Sequence, residues 1–140
     1  RGICMLVPGV RGLSENIRVV SIVDRFLEHS RIFYFANQGQ EEIYLSSADC
    51  MPRNLEKRVE LMFPVELTEA KNKCKHILDT FFKDNVKARL LHSDGRYRPP
   101  DRHGKEAFRC QEYFHSEAEN ADREKRSNPE KEFTVRRSPN

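Results

Sequence analysis

The chain has 140 residues, of which 37% are apolar and 34% charged, with a formal net charge of +3. That length supports one small domain with a modest core, and no apolar run is long enough for a membrane-spanning helix. Four cysteines at 4, 50, 74 and 110 include no CxxC pair, which excludes the usual zinc spacings, and no signal-peptide pattern is present. Reduced thiols and a cytoplasmic location are therefore expected. Residues 1–66 are close to neutral and the basic excess lies in residues 67–140. This fits an anionic partner, although a solvated surface explains the charge equally well.

The chain opens on Arg-Gly and passes at once into the apolar run Ile3 to Val7. That run suits a strand buried on both faces, and the opening suggests a fragment whose start lies inside a larger fold. Residues 8–16 form a Gly-containing loop in which Ser14 is placed to cap a following helix. The apolar spacing of Val19, Val20, Ile22, Val23, Phe26 and Leu27 predicts a helix over 17–28, opposite Arg18, Asp24, Arg25 and Glu28. Strand, helix and strand in succession predict a parallel neighbour for residues 3–7. Arg31 to Ala36 and Glu42 to Ser47 read as hairpin strands joined by Asn37-Gln38-Gly39-Gln40.

A loop over 49–55 follows, with Pro52 blocking regular structure. Residues 58–65 read as a strand that Pro64 ends or confines to an edge. Thr68 is placed to cap a helix from Glu69 to about Lys83, and 86–91 reads as a strand. Residues 92–104 form a polar loop, and a charged helix runs from Glu106 to about Arg126. The last residues, 127–140, read as a disordered tail. The domain division expected is 1–100, 101–126 for the C-terminal helix, and 127–140.

The hairpin organises the chemistry. If its strands pair, Arg31 lies near Ser46 and Ser47, and the same end collects His29, Asp49, Arg53 and Asn54. Arginine grips phosphate through a planar fork and stays charged. Histidine can attack phosphorus, donate a proton to a leaving oxygen or hydrogen-bond a phosphoryl group. Phosphoryl transfer needs mainly positioning and charge neutralisation. Arg1, Arg53 and Arg58 also lie near expected strand ends. Taken singly, each arginine is better read as a surface residue or an ion pair, such as Arg58 with Glu56 or Glu60. A lone histidine after a helix is usually structural, and Asp49 could equally cap the next turn. His76, His92, His103 and His115 belong to no constellation.

Three stretches carry a family resemblance: RGICMLVPGVRGLSENIRVVSIVDRFLEHSRIFYF, IYLSSADCMPRNLEKRVELMFPV and DNVKARLL. Together they closely resemble the carboxy-terminal part of bacterial polyphosphate kinase over roughly residues 1–126, most specifically in FLEHSR and SSADxMxRN. The resemblance implies an α/β fold, a phospholipase D-like mixed sheet flanked by helices, incomplete at its N-terminus and with a C-terminal helix. It implies the second of two such catalytic subdomains. The enzyme it implies transfers the terminal phosphate of ATP reversibly to inorganic polyphosphate through a phosphohistidine outside this chain. His29 matches the second histidine, at the nucleotide site, and Arg1 an arginine that contacts ATP phosphates. Arg53 and Arg58 fall at positions along the polyphosphate path.

Arg31 completes a His-x-Arg pair similar to a phospholipase D signature with arginine for lysine, and Ser46, Ser47, Asp49 and Asn54 support it. Magnesium is expected for the full enzyme, with its ligands outside this chain. The partners implied are ATP or ADP and inorganic polyphosphate, with no nucleic acid, in a homo-oligomer, with peripheral membrane association a further option. This chain alone is expected to be inactive. Two departures stand out: Cys50 replaces a tryptophan usual in the family, and Gln38 replaces a common glycine. Two rival readings remain: a phospholipase D-like phosphodiesterase using His29, and a non-catalytic polyanion-binding module using the basic second half.

Overall fold

The computed structural model describes residues 6–127. Arg1, most of the run at 3–7 and the tail from 128 onward lie outside the described residues, and Leu6 and Val7 are not in a strand. The elements are β1 (Val20–Ile22), β2 (Ile32–Phe35), β3 (Glu42–Ser46), α1 (Pro52–Lys57), β4 (Met62–Pro64), α2 (Thr68–Lys83), β5 (Ala88–Leu91), β6 (Tyr97–Arg98) and α3 (Cys110–Ser127). They form two three-stranded sheets, in the orders β1-β5-β6 and β2-β3-β4, with helices beside them. The α/β class and the C-terminal helix agree with the sequence reading. No helix of the described residues is long and apolar enough to cross a membrane.

The hairpin forms as expected. Ile32 pairs with Leu45, Phe33 with Tyr44, Tyr34 with Ile43 and Phe35 with Glu42. A 3-10 turn over Asn37–Gly39 joins the strands, and Asn37, Gln38 and Gly39 all take positive φ, at 39°, 53° and 95°. Only the last is a glycine, so Gln38 holds a left-handed conformation that disfavours a side chain. β4 continues the sheet as its outer strand, with Leu45 opposite Phe63 and Ser46 opposite Met62. α2 covers one face of this sheet, and Cys74 and Ala70 pack on Ile43, Val65, Ile32 and Leu45. Lys75 adds a surface tie, reaching both Glu41 carboxylate oxygens at 2.7 Å.

Several sequence expectations need correction. The helix over 17–28 is absent. Val20, Ser21 and Ile22 form β1 and pair antiparallel with Leu90, Arg89 and Ala88. The β-branched residues that gave a helical-looking face favour a strand, and a partner strand is available. Every ladder among the described residues is antiparallel. Ser14 caps no helix: its hydroxyl accepts the Val10 N–H at 3.0 Å and donates to the Val7 carbonyl at 2.6 Å, closing a turn.

Pro52 does not block structure. It starts α1, where a missing N–H costs nothing and the fixed φ is already helical. The strand expected over 58–65 shortens to β4. Thr68 is the first residue of α2 rather than its cap, and Leu67 in the cap position supplies no side-chain bond. The loop 92–104 contains β6, paired to β5.

α3 starts at Cys110, not Glu106, because residues 106–108 lie along Asn85. The Asn85 amide donates to the Glu106 carbonyl at 2.8 Å and accepts the Phe108 N–H at 2.9 Å, and the Asn85 N–H donates to the Phe108 carbonyl at 3.0 Å. Asp84 then caps α3 from outside. Its Oδ2 accepts the Cys110 N–H at 2.8 Å, while Oδ1 accepts the N–H groups of Val86, Lys87 and Ala88 at 2.7 to 3.0 Å. Burial alone would raise this carboxyl, but hydrogen bonds from the backbone of Cys110, Lys87 and Ala88 and from the Cys110 thiol outweigh it and hold it below the ordinary aspartate range. The neighbouring Cys110 thiol is pushed up to about 12, chiefly by burial and then by Asp84.

Candidate functional site

The β2–β3 register places Arg31 beside Ser46, whose N–H donates to the Arg31 carbonyl at 3.1 Å. The arginine side chain is held from two sides. Its Nε donates to Asp49 Oδ1 at 2.8 Å, and its Nη2 lies 2.9 Å from His29 Nε2. A second nitrogen, Nη1, donates to the His29 carbonyl at 3.3 Å. A guanidinium can only donate, so the imidazole nitrogen at 2.9 Å presents its lone pair. The Arg31 hydrogen bond, foremost, holds the Asp49 carboxyl below the ordinary aspartate range, helped by the nearby charges of Arg31, His29 and Arg53. His29 is exposed, Arg31 is largely covered, and Asp49 is partly open.

The loop between β3 and β4 has its own anchor. Glu60, which the sequence suggested as a partner for Arg58, instead accepts the Ser47 hydroxyl on one oxygen and the Asn54 amide on the other, the latter at 3.1 Å. The Ser47 hydroxyl also accepts the Leu61 N–H at 3.0 Å. Ser46 Oγ accepts the Ala48 N–H at 3.0 Å and so shapes the turn before Asp49. Asn54 is buried, and its Oδ1 has no partner among the described residues.

His29, Arg31, Ser46 and Asp49 thus converge, with Arg53 close enough to influence Asp49. Ser47 and Asn54 turn toward Glu60 and support the loop. Arg58 stands exposed just past α1, in extended backbone, away from its suggested partner Glu60. Arg1 lies outside the described residues. The anchoring role of Glu60 escaped the sequence reading because its partners lie 13 and 6 residues away, across an unrecognised helix.

Chemically, the cluster presents a fixed arginine fork beside an exposed imidazole, which suits an oxyanion. Among the described residues, no three His, Cys, Asp or Glu side chains are grouped to hold a metal ion. The nearest carboxylate, Asp49, is already committed to Arg31.

Residues 1–111 match the family model described as polyphosphate kinase C-terminal domain 2. The chain belongs to the polyphosphate kinase family. It is 56% identical over 97 residues to a polyphosphate kinase of an Exiguobacterium species, which spans 69% of this chain and 14% of that protein. It is 50% identical over 121 residues to the polyphosphate kinase of Lactiplantibacillus plantarum, spanning 86% of this chain and 17% of that protein. The crystal structure of polyphosphate kinase from Porphyromonas gingivalis superposes with a TM-score of 0.80 at 36% identity, over 88% of this chain and 19% of that one. The chain therefore spans about one seventh to one sixth of the length of these curated relatives.

Proposed function

We propose that this chain is the C-terminal part of an ATP:polyphosphate phosphotransferase and supplies half of its phosphoryl-transfer site. The observation that carries the reading is the convergence of His29, Arg31 and Asp49 at one hairpin end, with Arg31 held on Nε and both Nη groups facing His29. An arriving phosphate oxygen takes the Nη donors, while Asp49 keeps the guanidinium plane in place through Nε. That exchange frees the His29 Nε2 lone pair to take up a proton, and the protonated nitrogen can then hydrogen-bond or protonate the transferring group.

In the full reaction the bond from the terminal phosphorus of ATP to its bridging oxygen breaks, and ADP leaves. A phosphorus–nitrogen bond forms on a histidine outside this chain. That bond then breaks as an oxygen of the polyphosphate end takes the phosphoryl group, and each step runs in reverse. Arg1, Arg53 and Arg58 neutralise nucleotide and polyphosphate charge. Magnesium belongs to the full enzyme and has no fitting ligand set among the described residues, so no step here passes through it. The assembly is a cytoplasmic homo-oligomer of phospholipase D-like subdomains, and the isolated chain lacks kinase activity.

Titration of the purified chain with ATP and with long-chain polyphosphate tests this, comparing wild type with His29→Ala and Arg1→Ala. Binding weakened by both substitutions is the expected result. Binding indifferent to both, but falling steeply with salt, would replace this reading with a simple polyanion surface. Hydrolysis of a generic phosphodiester, lost on His29→Ala, would replace it with a phosphodiesterase.

A further inference from the structure

Residues 23–31 connect β1 to β2 without regular structure, yet they carry His29. Much of what holds this stretch comes from the start of α3, some 85 residues away. Arg109 grips Asp24 with two parallel bonds, Nε to Oδ2 at 2.8 Å and Nη2 to Oδ1 at 2.6 Å. The Asp24 side chain is almost wholly covered. Gln111 then takes both backbone groups of Phe26. Its Oε1 accepts the Phe26 N–H at 3.0 Å, and its Nε2 donates to the Phe26 carbonyl at 2.8 Å and to the Glu28 carboxylate at 2.6 Å. One side-chain amide thereby does what a neighbouring strand does for a residue in a ladder. Between Arg109 and Gln111 stands Cys110, whose N–H is fixed by the buried Asp84. The run of contacts is continuous: Asp84 sets the first residue of α3, its two neighbours set 24–28, and His29 follows.

We propose that Arg109 and Gln111 are positioning residues for His29, so that the first turn of α3 sets where the imidazole meets the phosphoryl group. This rests on the reading of His29 as a phosphoryl-handling residue. A displacement of about an ångström in a reacting group costs up to two orders of magnitude in rate, so holding such a segment has functional weight. The two residues act differently. Arg109 fixes the segment five residues before His29, through a fork that lysine cannot reproduce. Gln111 fixes the residues immediately before it.

The test uses the whole 140-residue chain and nuclear magnetic resonance of the His29 ring, with inorganic tripolyphosphate as the probe. Wild type is compared with Gln111→Ala, Arg109→Lys and, as a control on the exposed part of α3, Arg123→Ala. In Gln111→Ala, the Phe26 amide is expected to lose exchange protection and the His29 ring resonances to move without ligand. The apparent Kd for tripolyphosphate should rise about tenfold, the lower end of what supporting residues around a site contribute, with the melting temperature little changed. Arg109→Lys should act in the same direction and Arg123→Ala should do nothing.

Unmoved His29 resonances and unchanged affinity in Gln111→Ala, despite a faster-exchanging Phe26 amide, would overturn the proposal. If Gln111→Ala does not fold, Gln111→Glu is read in the same way: it keeps the acceptor for Phe26 but repels Glu28. A wild-type chain whose His29 ignores tripolyphosphate would remove the phosphoryl-handling reading. The ligand-free ring resonances would then still decide the positioning role.

Discussion

Two aspartates in this chain do opposite things with the same carboxylate. Asp84 is 3% exposed and spends both oxygens on four backbone N–H groups, those of Val86, Lys87, Ala88 and Cys110. Asp49 is partly open to solvent and spends one oxygen on a single side chain, Arg31, which itself faces His29. Both carboxyls sit below their ordinary range, so acidity alone does not separate them. The partners do. A carboxylate that satisfies backbone fixes the fold, whereas one that orients an arginine and leaves its outer donors reachable prepares a surface for an anion.

The contrast breaks most visibly at Asp84. Asp84→Ala leaves four N–H groups without their acceptor at the β5–α3 junction. At roughly 1–3 kcal/mol for each buried donor left unmade, the expected loss is at least about 4 kcal/mol, read as a lowered urea midpoint. A chain as stable as wild type would show that water replaces this carboxylate without cost. Arg31→Lys probes the other side. Lysine keeps the charge but not the fork, so polyphosphate affinity should drop about tenfold while the melting temperature barely moves. An unchanged affinity would mean that charge alone suffices at this hairpin end.

Acid sharpens the comparison. The folded-state values of Asp84, Asp24 and Asp49 lie below the ordinary 3.8, so the unfolded chain takes up protons first as pH falls. Their stabilisation is complete above about pH 5 and is lost as pH falls through 3.8 and then through the lower folded values. Urea midpoints should therefore hold between pH 7 and 5 and fall between pH 5 and 3. The fall should be smaller in Asp84→Asn, which has no carboxyl there to protonate. The smallest effect lies at the opposite end of the hairpin. Gln38 holds φ at 53°, so Gln38→Gly should stabilise by about 0.5–1 kcal/mol in thermal melts and leave phosphate binding unchanged.

The part of this architecture that was legible in the sequence was local. The hairpin followed from the turn signal of Asn37-Gln38-Gly39-Gln40 between two strand-like runs, and it correctly brought Arg31 to Ser46. α2 followed from its helical spacing. What failed depended on partners far along the chain. Val19, Val20, Ile22 and Val23 fit a helical face, and only β5 decides that they form a strand. Pro52 reads equally as a breaker or a first helical residue until Asn54 and Glu60 are seen to meet. The hold of Arg109 and Gln111 on residues 24–28 spans 85 positions and leaves no periodic trace. The cluster at His29 was thus readable in composition, while the side chains that fix its geometry were not.

Pro64 has a consequence beyond ending β4. Val65 donates to Ile43 on the paired side of that strand, so the preceding nitrogen belongs to the outer side, where a proline has no hydrogen to offer. The outer edge of a sheet whose neighbouring Phe63 and Met62 are about half exposed therefore lacks a donor that an incoming strand would need. One imino acid thus makes this exposed, partly apolar margin a poorer template for fibril growth.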